Sequence, residues 1–355
     1  MRSRRFYLSK HERRRKLESL WGLIQPCRLC PHECGARRVD GEVGLCGAGR
    51  VALVGHYGPH LGEEPPIVGE VGAGNIFFMG CNLQCVFCQN HQISHVGRHR
   101  RTEKGFGGEE LARAHLELQS QGCMNIAWVT AAHVLPQAVE GLLEADGLGL
   151  ELPLVYNSSG YERVETLELL DGIVDVYVPD LKYGPEAKAE ALCNARDYYW
   201  VATEGLHEMV RQVGHLELDE TGFAVRGVLV RHLVLPEDLA DTRGVLSFLA
   251  EEFGSEIWIS LMSQYNPPAH AMIDPPWAQT PDQVRPVVRR EDMFNKGIAN
   301  LPLDRTLRVD EYGQAVGELE RLGLSLGWVQ SLQSPSLLNP DFTKEAPFDG
   351  GVDAA

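Results

Sequence analysis

Nowhere in these 355 residues does an uninterrupted apolar run approach the roughly 18 residues that carry a helix across a bilayer, so no membrane span is expected. The N-terminus is basic, with Arg2, Arg4, Arg5, Lys10, Arg13, Arg14, Arg15 and Lys16 opposed only by Glu12. It lacks the apolar stretch that a secretory signal places behind its charges. Positive charge is otherwise in deficit. The 33 Lys and Arg face 49 Asp and Glu, and a formal net charge of -16 argues against nucleic acid or an anionic membrane as a general partner, since both demand clustered cations. The N-terminal arm is the one local exception. Internal repeats are also missing. These absences leave a cytoplasmic protein as the expectation. With 44% hydrophobic and 23% charged residues the chain has ample apolar surface for a core, and its length suits one main α/β domain with appendages.

Cysteine, by contrast, is clustered. The nine cysteines fall at 27, 30, 34, 46, 81, 85, 88, 123 and 193, seven of them in the first quarter of the chain. An extracellular disulfide scaffold would be shorter and would spread its cysteines. In a reducing compartment such tight spacing points to metal ligands. Cys123 and Cys193 stand apart among apolar neighbours and read as buried structural thiols.

Beyond residue 70, apolar runs ending in polar residues alternate with amphipathic stretches. The expected strands are Asn75 to Met79, Asn125 to Thr130, Leu152 to Tyr156, Val174 to Val178, Val225 to Leu235 and Glu256 to Met262. Their continuous apolar character predicts burial on both faces. Between them, Glu109 to Gln121, Pro136 to Ala145 and Arg163 to Leu170 carry apolar residues at helical spacing. Alternating β and α predicts a parallel sheet. Six units are too few for a closed eight-stranded barrel and fit either an open partial barrel or a doubly wound sheet. Both architectures put their sites at the C-terminal ends of the strands. Cys81, Thr130, Asn157-Ser158-Ser159, and Asp180 with Lys182 all occupy such ends. The expected organisation is a Cys-rich metal-binding extension over 1–70, a main domain over 71–332 and a mobile tail over 333–355.

The segment Asn75-Ile-Phe-Phe-Met-Gly-Cys81-Asn-Leu-Gln-Cys85-Val-Phe87-Cys88-Gln-Asn90 puts three thiolates on one tight loop after a strand. A structural zinc site needs a fourth ligand, whereas three cysteines on a four-iron cubane leave one iron free of protein ligands. A second set, Cys27-x2-Cys30-x3-Cys34-x11-Cys46, supplies four thiolates among glycines and completes a closed site, compatible with zinc or with a second 4Fe-4S cluster.

The C-x3-C-x2-C loop, with an aromatic before its last cysteine, resembles the signature of the radical S-adenosylmethionine (SAM) superfamily. Glu63-Glu64-Pro65-Pro66, Cys81 to Gln89, Tyr156-Asn157-Ser158, Val176 to Lys182 and Val230 to Pro236 look like an uncharacterised branch similar to pyruvate formate-lyase activating enzymes. The likeness runs from about residue 27 to 265 and resumes over 310–322; residues 275–305 match poorly. It implies a partial (β/α)6 barrel, a 4Fe-4S cluster on Cys81, Cys85 and Cys88, and SAM chelated at the free iron. The implied chemistry is reductive cleavage of SAM to a 5'-deoxyadenosyl radical that abstracts hydrogen from a substrate. It further implies an electron donor such as flavodoxin or ferredoxin, and a glycyl-radical protein as substrate. A small-molecule or peptide substrate is the alternative within this chemistry, and a non-catalytic zinc-binding scaffold is the alternative outside it.

By the same resemblance Phe87 packs by the adenine and Asn90 reaches SAM. Lys182 of Asp180-Leu181-Lys182 holds the SAM carboxylate, Asp180 shapes the site, and Asn157 and Thr130 are further contacts. Arg231, on an otherwise apolar strand, needs an anionic partner, either SAM or a structural carboxylate. The sequence departs from the family at the end of the second strand, where Val129-Thr130-Ala131-Ala132-His133 replaces the Gly-Gly-Glu that binds the methionine amino group. The literal Gly107-Gly108-Glu109 precedes an amphipathic stretch and reads as a helix start. His133 is either a proton donor or, the favoured reading, an ordinary strand-end histidine.

Overall fold

The structure is a computed structural model that describes residues 3–95, 105–267, 301–332, 340 and 347–348. Among the described residues the strands are β1 (Val54–His60), β2 (Ala73–Phe78), β3 (Ile126–Val129), β4 (Leu154–Ser158), β5 (Val176–Pro179), β6 (Glu217–Leu218), β7 (Ala224–Leu233), β8 (Trp258–Met262) and β9 (Gly327–Val329). The helices are α1 (Lys10–Gly22), α2 (Pro65–Val68), α3 (His91–Ser94), α4 (Gly108–Ser120), α5 (Leu135–Gly147), α6 (Val164–Glu168), α7 (Ala189–Cys193), α8 (Tyr198–Val213), α9 (Thr242–Phe253) and α10 (Val309–Arg321). No helix among the described residues is long and apolar enough to cross a membrane.

The strands form one mixed sheet in the order β1-β2-β3-β4-β5-β7-β8-β9, parallel from β2 onward, with β1 antiparallel at one edge and β6 antiparallel to β7. This is the expected α/β arrangement, and each of the six expected strands is present. Three strands were not expected, among them the two-residue β6. β1 joins residues 54–60 of the Cys-rich extension to the main sheet, and the three-residue β9 follows α10. The Gly107-Gly108-Glu109 segment does start a helix: Glu110 Oε2 accepts from the Gly107 amide at 3.1 Å as α4 begins.

Period-two alternation sorts the side chains of the parallel strands. Ile76, Phe78, Ile126, Trp128, Tyr156, Tyr177, Val228 and Val230 belong to the large core packed with α4, α5 and α8. The intervening positions, Ala73, Ala127, Val155, Val176, Val178 and Leu229, form a smaller cluster on the other face. Following that register, Asn75, Asn157, Asp180 and Arg231 also lie on the face away from the main helices.

Several cations of the basic N-terminal arm are committed to the protein itself. Arg5 is fully buried and donates through Nε to Asp146 Oδ1 at 2.7 Å and through Nη1 to Ser3 Oγ at 2.6 Å. Ser3 Oγ in turn donates to Asp175 Oδ2 at 2.6 Å, and the same carboxylate oxygen accepts from the Leu154 amide at the start of β4. Arg4 pairs with Asp171, and Arg13 with Asp146. Removing one member of a buried ion pair leaves its partner uncompensated. Arg5→Met should therefore destabilise the fold by about 3–5 kcal/mol in urea denaturation. Arg14→Ala, at an exposed pair with Glu18, should leave the unfolding midpoint unchanged.

Candidate functional site

The loop after β2 begins with Gly80 at φ +86, a left-handed conformation that suits glycine. Space makes the same demand, since a Cβ there would fall inside the Cys46 carbonyl oxygen and 3.3 Å from His133 Nε2. The chain then turns through Cys81, Cys85 and Cys88. Backbone amides of Gln84 and Val86 donate to the carbonyls of Cys193 and Leu192 at 3.2 and 2.9 Å, which ties the loop to the end of α7. Asn82 Nδ2 donates to the Tyr161 carbonyl at 2.5 Å, and His32 Nε2 donates to the Asn82 carbonyl at 2.8 Å. Cys81 accepts a hydrogen bond from the Leu83 amide at 3.3 Å, and Cys88 one from Ser94 Oγ at 3.2 Å.

Burial pushes the Cys81 thiol well up, and the neighbouring Cys85 and Cys88 push it further. Cys88 is raised to about 11 by burial and then by Cys85. Cys85 thus discourages both Cys81 and Cys88 from ionising, while its own pKa is lowered by a hydrogen bond from Cys193. Among the described residues no three His, Cys, Asp or Glu side chains converge as ligands of a single metal ion. A four-iron cubane takes each thiolate on a different iron, so its ligands need not converge on one point.

Lys182 Nζ forms an ion pair with Asp180 Oδ2 just beyond β5. Burial alone would lower the lysine pKa, but Asp180 and then Cys85 outweigh it and hold the ammonium charged. The predicted Asp-x-Lys pair therefore lies within electrostatic reach of the cysteine loop. Phe87 is buried and meets Tyr265 edge to face at 5.9 Å. Asn90 precedes α3 and, with Asn157 and Arg231, lines a cavity of about 110 Å³ at the strand ends. Thr130 takes φ +57, an uncommon conformation for a β-branched residue, and its amide donates to the Asn157 carbonyl at 2.9 Å.

Of the two partners open to Arg231 on sequence grounds, the structure supplies carboxylates. Its guanidinium pairs with both Glu63 and Glu64, and Asn75 Nδ2 donates to Glu63 Oε1 at 2.6 Å. The reading of Cys193 as an isolated thiol is corrected. It is fully buried but hydrogen-bonds to Cys85, which lowers the Cys85 pKa, and the buried Tyr183 ring stands beside both sulfurs. Cys123 is buried, as expected. His133 is buried, donates from Nε2 to the Met79 carbonyl at 2.8 Å and is lowered to about 4 by burial, so it is a neutral structural histidine. The tail expected to be mobile lies mostly outside the described residues. Its Pro340 and Phe348 nevertheless line the cavity, Phe348 packing 4.2 Å from His60 and 5.2 Å from Phe77.

Cys27, Cys30, Cys34 and Cys46 share one pocket with Arg38 and His133. Arg38 is fully buried, donates to the Gly49 carbonyl at 3.0 Å and reaches Cys27 Sγ at 3.8 Å. Burial and then Cys46 push Cys30 up to about 12, while a hydrogen bond from Cys27 brings Cys34 down to about 5. Gly44 leaves room for the sulfurs: a Cβ there would lie 3.3 Å from Cys46 Sγ and 3.5 Å from Cys34 Sγ.

No family model matches the chain. Over 256 residues it is 29% identical to an uncharacterized protein of Methanocaldococcus jannaschii, the match covering 71% of this chain and 69% of that protein.

Sequence reasoning missed Glu162, which lies five residues beyond Asn157 and carries no motif. Its buried carboxylate accepts from Ser158 Oγ at 2.6 Å and Tyr156 Oη at 3.1 Å. Burial raises its pKa from an ordinary 4.5 to about 7, more than those two hydrogen bonds lower it, with Asp180 adding to the rise. The folded state therefore binds more protons than the unfolded state between these values, and stability should fall as pH rises from about 4.5 to about 7. Glu162→Gln should flatten that decline by about 3 kcal/mol, measured as the difference between parent and variant urea unfolding across the window.

Proposed function

We propose that the chain is a radical SAM enzyme, with β2 to β5, β7 and β8 as the partial (β/α)6 barrel of that family and a 4Fe-4S cluster on Cys81, Cys85 and Cys88. One observation carries the reading: the three-cysteine loop and the charged Lys182 come together at the C-terminal ends of parallel strands. When bound, the cluster supplies one electron to the sulfonium of SAM, whose carbon–sulfur bond breaks to give methionine and a 5'-deoxyadenosyl radical that takes a hydrogen atom from the substrate.

The chain's own residues have separable tasks. Cys81, Cys85 and Cys88 hold three irons, and the Leu83 amide and Ser94 hydroxyl stabilise negative charge on two of the sulfurs. Lys182 offers a partly buried cation to the SAM carboxylate, with Asp180 orienting it. Phe87 and Tyr265 provide an aromatic wall suited to adenine. Asn90 and Asn157 present polar groups at the cavity rim, and Phe348 helps keep water out. The substrate we assign is a glycine of a partner protein, as for the activating enzymes the sequence resembles. A cavity of about 110 Å³ suits a residue-sized group. The electron comes from a flavodoxin or ferredoxin.

Protein reconstituted anaerobically should show an iron-sulfur signal that SAM perturbs, and Cys85→Ala should abolish 5'-deoxyadenosine formation. A variant with all three loop cysteines replaced by alanine that still cleaves SAM at the parent's rate would overturn the reading. A charge-assisted hydrogen bond in a partly desolvated site contributes about 1.5–3 kcal/mol. Lys182→Met should accordingly weaken SAM binding about ten- to a hundredfold in calorimetric titration and leave the iron content unchanged.

A further inference from the structure

We propose that the N-terminal quartet of Cys27, Cys30, Cys34 and Cys46 holds a redox-active 4Fe-4S cluster that passes electrons to the Cys81 loop; this rests on the radical SAM reading. Two contacts carry it. Cys46 belongs to the quartet, and its own carbonyl oxygen packs on Gly80, the residue before Cys81. The path from Cys46 Sγ to Cys81 Sγ is therefore covalent except for one van der Waals step between that carbonyl and Gly80. A second connection runs from the quartet segment through His32 Nε2, which donates to the Asn82 carbonyl at 2.8 Å, one residue past Cys81. The two thiol sets, far apart in sequence, thus share a backbone interface.

The donor set fits such a cluster. Four thiols in one pocket match the four irons of a cubane, and none is left over. Arg38 adds a buried guanidinium at Cys27 Sγ. A fixed cation favours the more negative charge state that a cluster takes on reduction, an advantage irrelevant to zinc, which has no redox chemistry. The electron balance is simple. A reduced one-electron donor protein of the flavodoxin class loses one electron, the quartet cluster is reduced and then reoxidised, and the loop cluster gains that electron for SAM.

Metal analysis and electron paramagnetic resonance of the anaerobically reconstituted full chain test the proposal. The parent should bind about eight irons in two cubanes and, when reduced, show a signal broadened by coupling between two nearby spins. Cys30→Ser with Cys34→Ser should lower this to about four irons and leave one unbroadened, SAM-responsive signal. The variant should lose SAM cleavage driven by reduced flavodoxin and retain it with dithionite, which reaches the loop cluster directly. Zinc in the parent's quartet beside an intact SAM-responsive cluster would overturn the relay alone. So would two clusters without spin coupling, or a variant that flavodoxin reduces at the parent's rate. The first two of these measurements use the parent and stand even where the double variant does not fold. Iron confined to the quartet, with no SAM-responsive cluster on the loop, would overturn the relay and the underlying reading together.

Discussion

The common direction of strands β2 to β5, β7 and β8 is the constraint on which the site depends. Parallel strands require crossover connections, so all their C-terminal ends collect along one edge of the sheet. Cys81, Thr130, Asn157, Asp180 and Arg231 come from five different strands and meet there for that reason. Period-two alternation then selects a face. Asn75, Asn157, Asp180 and Arg231 share the register opposite the main helices, so polar groups collect where helix packing does not claim them.

Burying those polar groups creates a charge problem that the chain solves locally. Arg231 would be costly alone and is matched by Glu63 and Glu64, brought over by the segment between β1 and β2. Lys182 is matched by Asp180. Glu162 bonds Ser158 and Tyr156 rather than a cation among the described residues, and burial pushes it toward the neutral form. The cavity itself is lined by the Arg231, Glu63 and Glu64 charges, while Glu162 sits against Tyr156 and Ser158 of β4.

Legibility in the sequence followed burial. The six parallel strands could be read because burial on both faces demands continuous apolar runs, and every residue of β2, β3 and β5 is buried. β1 was invisible for the opposite reason: it is a half-exposed edge strand containing Gly58 and Pro59. The three residues of β9 are too few to show any period. Cysteine spacing exposed both thiol sets, since thiols on one loop are close in sequence as well as in space. Spacing said nothing of Cys193, Tyr183, Glu162 or Arg38, whose relation to the site arises from the fold alone. Arg231 was legible as a residue in need of an anion, yet its partners lie 167 and 168 positions away and no periodicity connects them.

The thiol sets pose the largest electrostatic demand in the molecule. Seven cysteines in two adjoining groups would carry seven negative charges as thiolates, whereas Arg38 and Lys182 are the cations placed against them. Two cations cannot balance seven anions, and burial and neighbouring thiols push Cys30, Cys81 and Cys88 up while hydrogen bonds from Cys27 and Cys193 bring Cys34 and Cys85 down. A multinuclear metal core reverses that balance by bringing several positive charges to the sulfurs at once. The interface at Gly80 and Asn82 then has a further consequence: a change of charge in one group is felt by the other through a short, poorly solvated path, where electrostatic interactions are stronger than in water. In the proposed two-cluster arrangement, reduction of one cluster would raise the cost of adding an electron to its neighbour, a cost that Arg38 at the quartet and Lys182 at the loop would limit.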